Sequence, residues 1–145
     1  MHRLSKRFAT TVLAIALPAL GAAGCDNNTD LSGVASTTTA STQVTEAFSG
    51  TLSVNGAATF NFAALAAGSV TAGLKSVSPS SDAILGLGLG TWNGTACQIV
   101  IANDAATTSL IIIGTTSAAG NLCVRVYDVG KLTATQTVEI TVTHF

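Results

Sequence analysis

From Thr45 onward the chain predicts an all-β fold, an antiparallel β-sandwich of about eight short strands. Three observations predict it. Apolar residues recur with a period of two, which places them on one face of a pleated strand. Asn-Gly pairs and Ser/Pro/Asp clusters punctuate these runs. Thr and Val are abundant, and no long stretch of the domain has a helical period.

The strands follow in order. Phe48, Gly50, Leu52 and Val54 alternate with Ser49, Thr51 and Ser53. Asn55-Gly56 reads as a two-residue hairpin turn, so Phe60 and Phe62 are expected to return along the partner strand. Ala63 to Gly68 suits a loop or one helical turn. Val70, Ala72 and Leu74 alternate with Thr71, Gly73 and Lys75, before a loop at Ser78-Pro79-Ser80-Ser81-Asp82. In the next run, Ile84 to Trp92, Leu85, Leu87 and Leu89 share one face and Gly86, Gly88 and Gly90 the other. Three glycines on one face mark a backbone that something approaches closely. The candidates are large side chains of a neighbouring strand, a bend in a curved sheet, or a flat ligand-docking face bounded by Trp92. Asn93-Gly94 is a second hairpin signal, leading to Cys97 through Ala102, and Asn103-Asp104 is expected to turn the chain. Leu110 to Ile113 is an apolar run of strand length. Gly120-Asn121 precedes Leu122, Val124 and Val126, which alternate with Cys123, Arg125 and Tyr127. The last strand is Thr137 to Thr143, with Val138, Ile140 and Val142 inward.

Residues 1–44 have a different character. His2, Arg3, Lys6 and Arg7 form a basic start, Phe8 to Leu20 is apolar, and small residues lead into Ala22-Ala23-Gly24-Cys25. The apolar run is too short for a stable membrane span of ~20 residues, so residues 1–24 read as a cleaved export signal. Ala23-Gly24-Cys25 resembles the lipobox of bacterial lipoproteins, with Ala22 where that pattern carries leucine. The resemblance implies cleavage before Cys25 and a diacylglyceryl group on its thiol. Ordinary cleavage near Ala23, leaving Cys25 as a spare thiol, is the alternative. Counting favours the lipid: the chain has three cysteines, and acylating Cys25 leaves an even pair. Asp26 resembles the inner-membrane retention signal of enterobacterial lipoproteins, a rule that varies among bacteria. Residues 25–44 continue as a polar, Ser/Thr-rich tether that cannot bury enough surface to offset its ordering entropy. Its length would hold the domain on the order of 25 Å from the membrane.

Without the signal, Lys75, Arg125 and Lys131 stand against seven acids, a net charge of −4. Such a charge-poor, acidic chain lacks the basic footprint of a nucleic-acid binder and the polybasic patch that anionic lipid attracts. No nucleic-acid partner is expected.

Phe48-Ser49-Gly50-Thr51-Leu52, Phe60-Asn61-Phe62, Gly68-Ser69-Val70-Thr71-Ala72 and Gly120 to Asp128 occur in an order that resembles the bacterial pre-peptidase C-terminal domain. The likeness covers residues 45–145. It implies a jelly-roll-like sandwich with an accessory role, since such domains are usually appended to exported enzymes. Some related domains bind collagen or polysaccharide, and some use calcium structurally. No enzyme precedes the domain here, so the likeness bears on fold and role and names no ligand.

In an oxidising envelope Cys97 and Cys123 are expected to form a disulfide. Closing a loop of about 27 residues would stabilise the domain by roughly 3.5 kcal/mol in the chain-entropy picture. No Cys-x-x-Cys and no further zinc ligands accompany them. Hydrolytic chemistry needs a nucleophile, a base and a group that orients the base. His144 is the one histidine left after the signal and reads as an exposed strand end. No Gly-x-Ser-x-Gly elbow or paired-carboxylate motif occurs, so no catalytic residue and no cofactor are expected. Asp82, Asn103, Asp104 and Asp128 fall at strand ends, where they could gather around calcium or serve as turn formers. The expectation is a non-catalytic protein, exported and lipid-anchored to the bacterial cell envelope, that binds a polysaccharide or protein with Trp92 and Tyr127 as candidate contacts. A structural envelope component, or an accessory subunit of a separately encoded exported enzyme, is the alternative.

Overall fold

A computed structural model describes residues 41–145. The expected signal, Cys25 and the tether through residue 40 lie outside the described residues. The described part contains eight strands and no helix: β1 (Val44–Leu52), β2 (Ala57–Ala64), β3 (Gly68–Ser78), β4 (Leu85–Trp92), β5 (Cys97–Ala106), β6 (Ile111–Thr116), β7 (Gly120–Tyr127) and β8 (Gln136–His144). They form two four-stranded antiparallel sheets, ordered β1-β8-β3-β6 and β2-β7-β4-β5. This is the strand order of a jelly roll, in which successive strands mostly switch sheets.

The inward sets expected from the alternation fill the space between the sheets. Leu52, Leu85, Leu87, Val124, Val126, Val138, Ile140 and Val142 have no solvent exposure. Each such side chain contributes roughly 1.5–3 kcal/mol of burial, which outweighs any single polar contact at the surface. The weak segment after Ala64 is a short loop, and β3 begins at Gly68.

Three local expectations are corrected. Asn55-Gly56 does reverse the chain, with Asn55 at φ 56° and the Gly56 N–H on the Ser53 carbonyl at 2.9 Å. It is a corner between sheets, however, and not a hairpin. Phe48 on β1 faces Ile140 on β8, and Phe60 on β2 faces Val124 on β7. The two phenylalanines meet across the core instead, stacked with centroids 5.4 Å apart. An Asn-Gly pair supplies the left-handed backbone of a tight reversal but does not choose between pairing and packing. Val54 accordingly leaves the strand and is exposed in the turn. Asn93-Gly94, in contrast, closes a true hairpin between β4 and β5.

Asn103-Asp104 does not turn the chain. Both residues lie inside β5 at a bulge, where Asp104 and Ala105 stand opposite the single residue Gly86. The Asn103 side-chain oxygen accepts the Ala105 N–H at 2.8 Å, and the chain reverses later, between Thr107 and Leu110.

His144 is 3% exposed rather than a solvent-facing end. It continues the inward set Val138, Ile140, Val142 on β8, a central strand flanked by β1 and β3. Its ring lies 5.0 Å from that of Phe62, and its Nε2 is 2.8 Å from the Glu46 carboxylate.

The glycine face of β4 is covered by the chain itself. The Tyr127 ring occupies the place a Gly86 Cβ would need, and Ile99 lies over Gly88. At Gly90 the cover is backbone: an added Cβ would fall 2.0 Å from the Gln98 carbonyl oxygen. A second bulge, at Val100, lets the start of β5 fold over β4. Cys97 there is bonded to Cys123 on β7, the strand on the far side of β4. Their Cα atoms are 5.7 Å apart. Strands flanking a third in a flat sheet would be ~9.5 Å apart, so the disulfide joins a folded-over strand end to its second neighbour.

Gly90→Ala is therefore expected to lower unfolding free energy by about 3 kcal/mol or more, because backbone must move. Gly86→Ala should cost about 1 kcal/mol, because the Tyr127 ring can swing aside. Urea denaturation of both variants checks the contrast, and equal losses would contradict it.

Candidate functional site

The jelly roll sends its connections to two opposite ends. Ser53–Gly56, the loop after Ser78, Thr107–Leu110 and the segment after Tyr127 gather at one end; the loops after Ala64, Trp92 and Thr116 gather at the other, where β1 also begins. The two expected aromatic contacts fall at different ends. Tyr127 stands opposite Gly86, whereas Trp92 closes β4 at the Asn93-Gly94 hairpin. Six residues of strand separate these positions, ~20 Å, so Trp92 and Tyr127 do not share one ligand site.

The polar end is built around Tyr127 and Asp128, the last strand residue and its successor. Period two puts Arg125 on the same outward face as Tyr127. The corner at Asn55-Gly56 comes alongside because the Asp128 N–H donates to the Gly56 carbonyl at 3.0 Å. Asn55, Gly56, Ala57, Arg125, Tyr127 and Asp128, with Ile99, line an open groove of 460 Å³. The sequence marks Arg125 only as an outward strand residue and Asn55 only as a turn former. The Arg-x-Tyr spacing was the available signal for Arg125; Asn55 reaches the groove only through long-range topology.

The Tyr127 hydroxyl donates to the Asp104 carboxylate, carried on the β5 bulge. That bond, then burial and the negative charge of Asp104, hold the phenol above its ordinary ionisation range, against the opposing pull of Arg125. Asp128 fastens backbone. Its carboxylate accepts the N–H of Asn55 at 2.8 Å, of Lys131 at 2.9 Å and of Leu132 at 3.1 Å. Chiefly through the Asn55 bond, these donors hold Asp128 below the usual carboxylate range.

Of the four residues considered for calcium, Asn103, Asp104 and Asp128 are thus engaged with Ala105, Tyr127 and turn backbone. Asp82 lies apart, in a groove with Ser80, Lys131 and Gln136. Among the described residues, no three His, Cys, Asp or Glu side chains are placed to share a metal ion. His144 has both ring nitrogens occupied, by Glu46 and by the Phe145 carbonyl at 3.2 Å. That arrangement aims neither nitrogen at a hydroxyl nucleophile. No protein-family model matches the chain, and no curated protein matches it in sequence.

Two titrations follow from this geometry. Tyr127 is the sole tyrosine, so phenolate absorbance should report one ionisation above 10.0, and Asp104→Asn should bring it down. An unshifted midpoint in the variant would contradict the assignment. Because its folded pKa is depressed, Asp128 contributes stability that is present above its unfolded value of 3.8 and lost as pH falls through the folded value. Chemical denaturation between about pH 5 and pH 2 should therefore show a shallower acid loss in Asp128→Asn than in the parent.

Proposed function

We propose that this chain is a non-catalytic protein of the bacterial cell envelope, lipid-anchored at Cys25, whose sandwich binds a polysaccharide or protein partner at its polar end. The observation that carries the reading is the groove at Asn55, Arg125, Tyr127 and Asp128. A tyrosine ring, a guanidinium, the Asn55 amide and the Asp128 carboxylate line a broad, open depression there. Such a set suits hydroxyl-rich or peptide ligands, which need stacking and several hydrogen bonds at once. Asp128 fastens the loops on both sides of the groove, which pre-organises the surface. The order of strand motifs supports a role like that of pre-peptidase C-terminal domains, presenting a binding surface instead of performing chemistry. In this reading Cys25 fixes the chain to the membrane.

The test is retention on purified cell-wall sacculi and on envelope polysaccharide, beside crosslinking in intact cells for a protein partner. Tyr127→Ala and Arg125→Ala should each weaken the retained or crosslinked species about tenfold, a loss of ~1.4 kcal/mol, with melting temperature little changed in Arg125→Ala and the domain still folded by circular dichroism in Tyr127→Ala. Binding that ignores both substitutions would overturn the assignment of the groove.

A further inference from the structure

The end of the sandwich opposite the groove has its own chemistry. Its loops read Leu65-Ala66-Ala67, Asn93-Gly94-Thr95-Ala96 and Ser117-Ala118-Ala119, without one ionisable side chain. Strand register brings them together with the start of β1: Val44 pairs with His144, Gly68 with Thr116, Ala64 with Gly120, and Thr91 with Leu122. Leu65 is 76% exposed at a loop tip and Val44 43% exposed at the start of β1. The single tryptophan, Trp92, opens the Asn93-Gly94 hairpin at this same end.

The described charges are segregated accordingly. Asp82, Asp104, Arg125, Asp128, Lys131 and the Lys75–Glu139 ion pair all lie in the half that carries the groove. Glu46, taken up by the buried His144, and the main-chain carboxyl of Phe145, which accepts the Leu65 N–H at 2.7 Å, are the exceptions. An apolar groove of 310 Å³ borders this end through Thr91, Thr116 and Ser117, with Val100, Ile101 and Leu122 among its walls.

We infer that this end seats on the lipid bilayer surface. The occupant follows from where the chain leaves the domain. Residues 25–44 join β1 at this end, so an anchor at Cys25 presents these loops, and not the groove, to the membrane first. A tether of ~25 Å keeps the end at high effective concentration beside the bilayer, where a small apolar contact suffices. Loops of Leu, Ala, Gly and Asn enter the interface without the cost of dehydrating a charge, and tryptophan favours that depth. Loops bearing Asp128 or Lys131 would meet that cost. With no basic residue in these loops, the contact is apolar rather than electrostatic, so salt leaves it intact. The groove is then directed outward.

This inference rests on attachment through Cys25, and the experiment supplies that attachment chemically. The chain from Cys25 to Phe145, with Cys97 and Cys123 oxidised, is coupled through its remaining thiol to a maleimide lipid in phosphatidylcholine vesicles. Half of the vesicles carry acyl chains brominated near the headgroup. Trp92 emission should be quenched about twofold in the brominated vesicles and stay quenched in about 0.5 M NaCl. Leu65→Asp and Ala118→Asp, both at exposed positions, should stay folded by circular dichroism, remain coupled, and lose the quenching. Equal emission in both vesicle types, or undiminished quenching in both variants, would overturn the inference. A lipid-free Cys25 in cells would remove the anchor reading and leave this result standing.

Discussion

The backbone of Gln98 rests on Gly90, and the outer surface of the second sheet depends on that contact. A side chain at position 90 would fill the space the β5 backbone occupies. With glycine there, β5 bulges at Val100, folds over β4 and comes within disulfide reach of β7. The three glycines of β4 thus carry three different covers: backbone at Gly90, the Ile99 side chain at Gly88, and the Tyr127 ring at Gly86. Only the last is polar at its tip. The surface is sealed near the hairpin and becomes a groove where the aromatic ring takes over.

The jelly-roll path then turns local chemistry into polarity along the whole domain. Because each strand runs from one end of the sandwich to the other and the next runs back, the loops alternate between two ends. One set contains Asn55, Asp82, Asp128 and Lys131; the other is made of Leu, Ala, Gly, Ser, Thr and Asn. Asp128 stabilises the first set by accepting N–H groups from two separate loops, which ties the Asn55 corner to the segment after β7. The charge-free set has no such clasp: its loops are short, and Asn93–Ala96 among them closes a hairpin. The binding proposed for one end and the attachment proposed for the other are compatible because the same topology separates the two ends.

The strands and the inward sets were legible in the sequence because alternation is a local property of a half-buried strand. Pairing was less legible. Asn55-Gly56 and Asn93-Gly94 carry the same turn signal, yet one spans the sheets and the other closes a hairpin; the Phe48–Phe60 stack that accompanies the first is a long-range contact. Asn103-Asp104 bore turn chemistry that serves a bulge. His144 could have been placed by extending the Val138, Ile140, Val142 alternation two residues further, which outweighs its position near the chain end. Cysteine counting identified Cys97 and Cys123 as partners, but not that their bond passes over β4. Trp92 and Tyr127 stood out as exposed-face aromatics; only the register of β4 against β7 shows that they belong to different ends.

The proposed orientation of the domain rests on the proposed attachment at Cys25, so the decisive measurement is the intact mass of the protein extracted from its native membranes without reduction. The expected species begins at Cys25, carries an acyl-glyceryl adduct, and is lighter than the reduced chain by the two hydrogens lost in closing Cys97–Cys123. A lipid-free species that begins at another residue would contradict the attachment and, with it, the outward-facing groove.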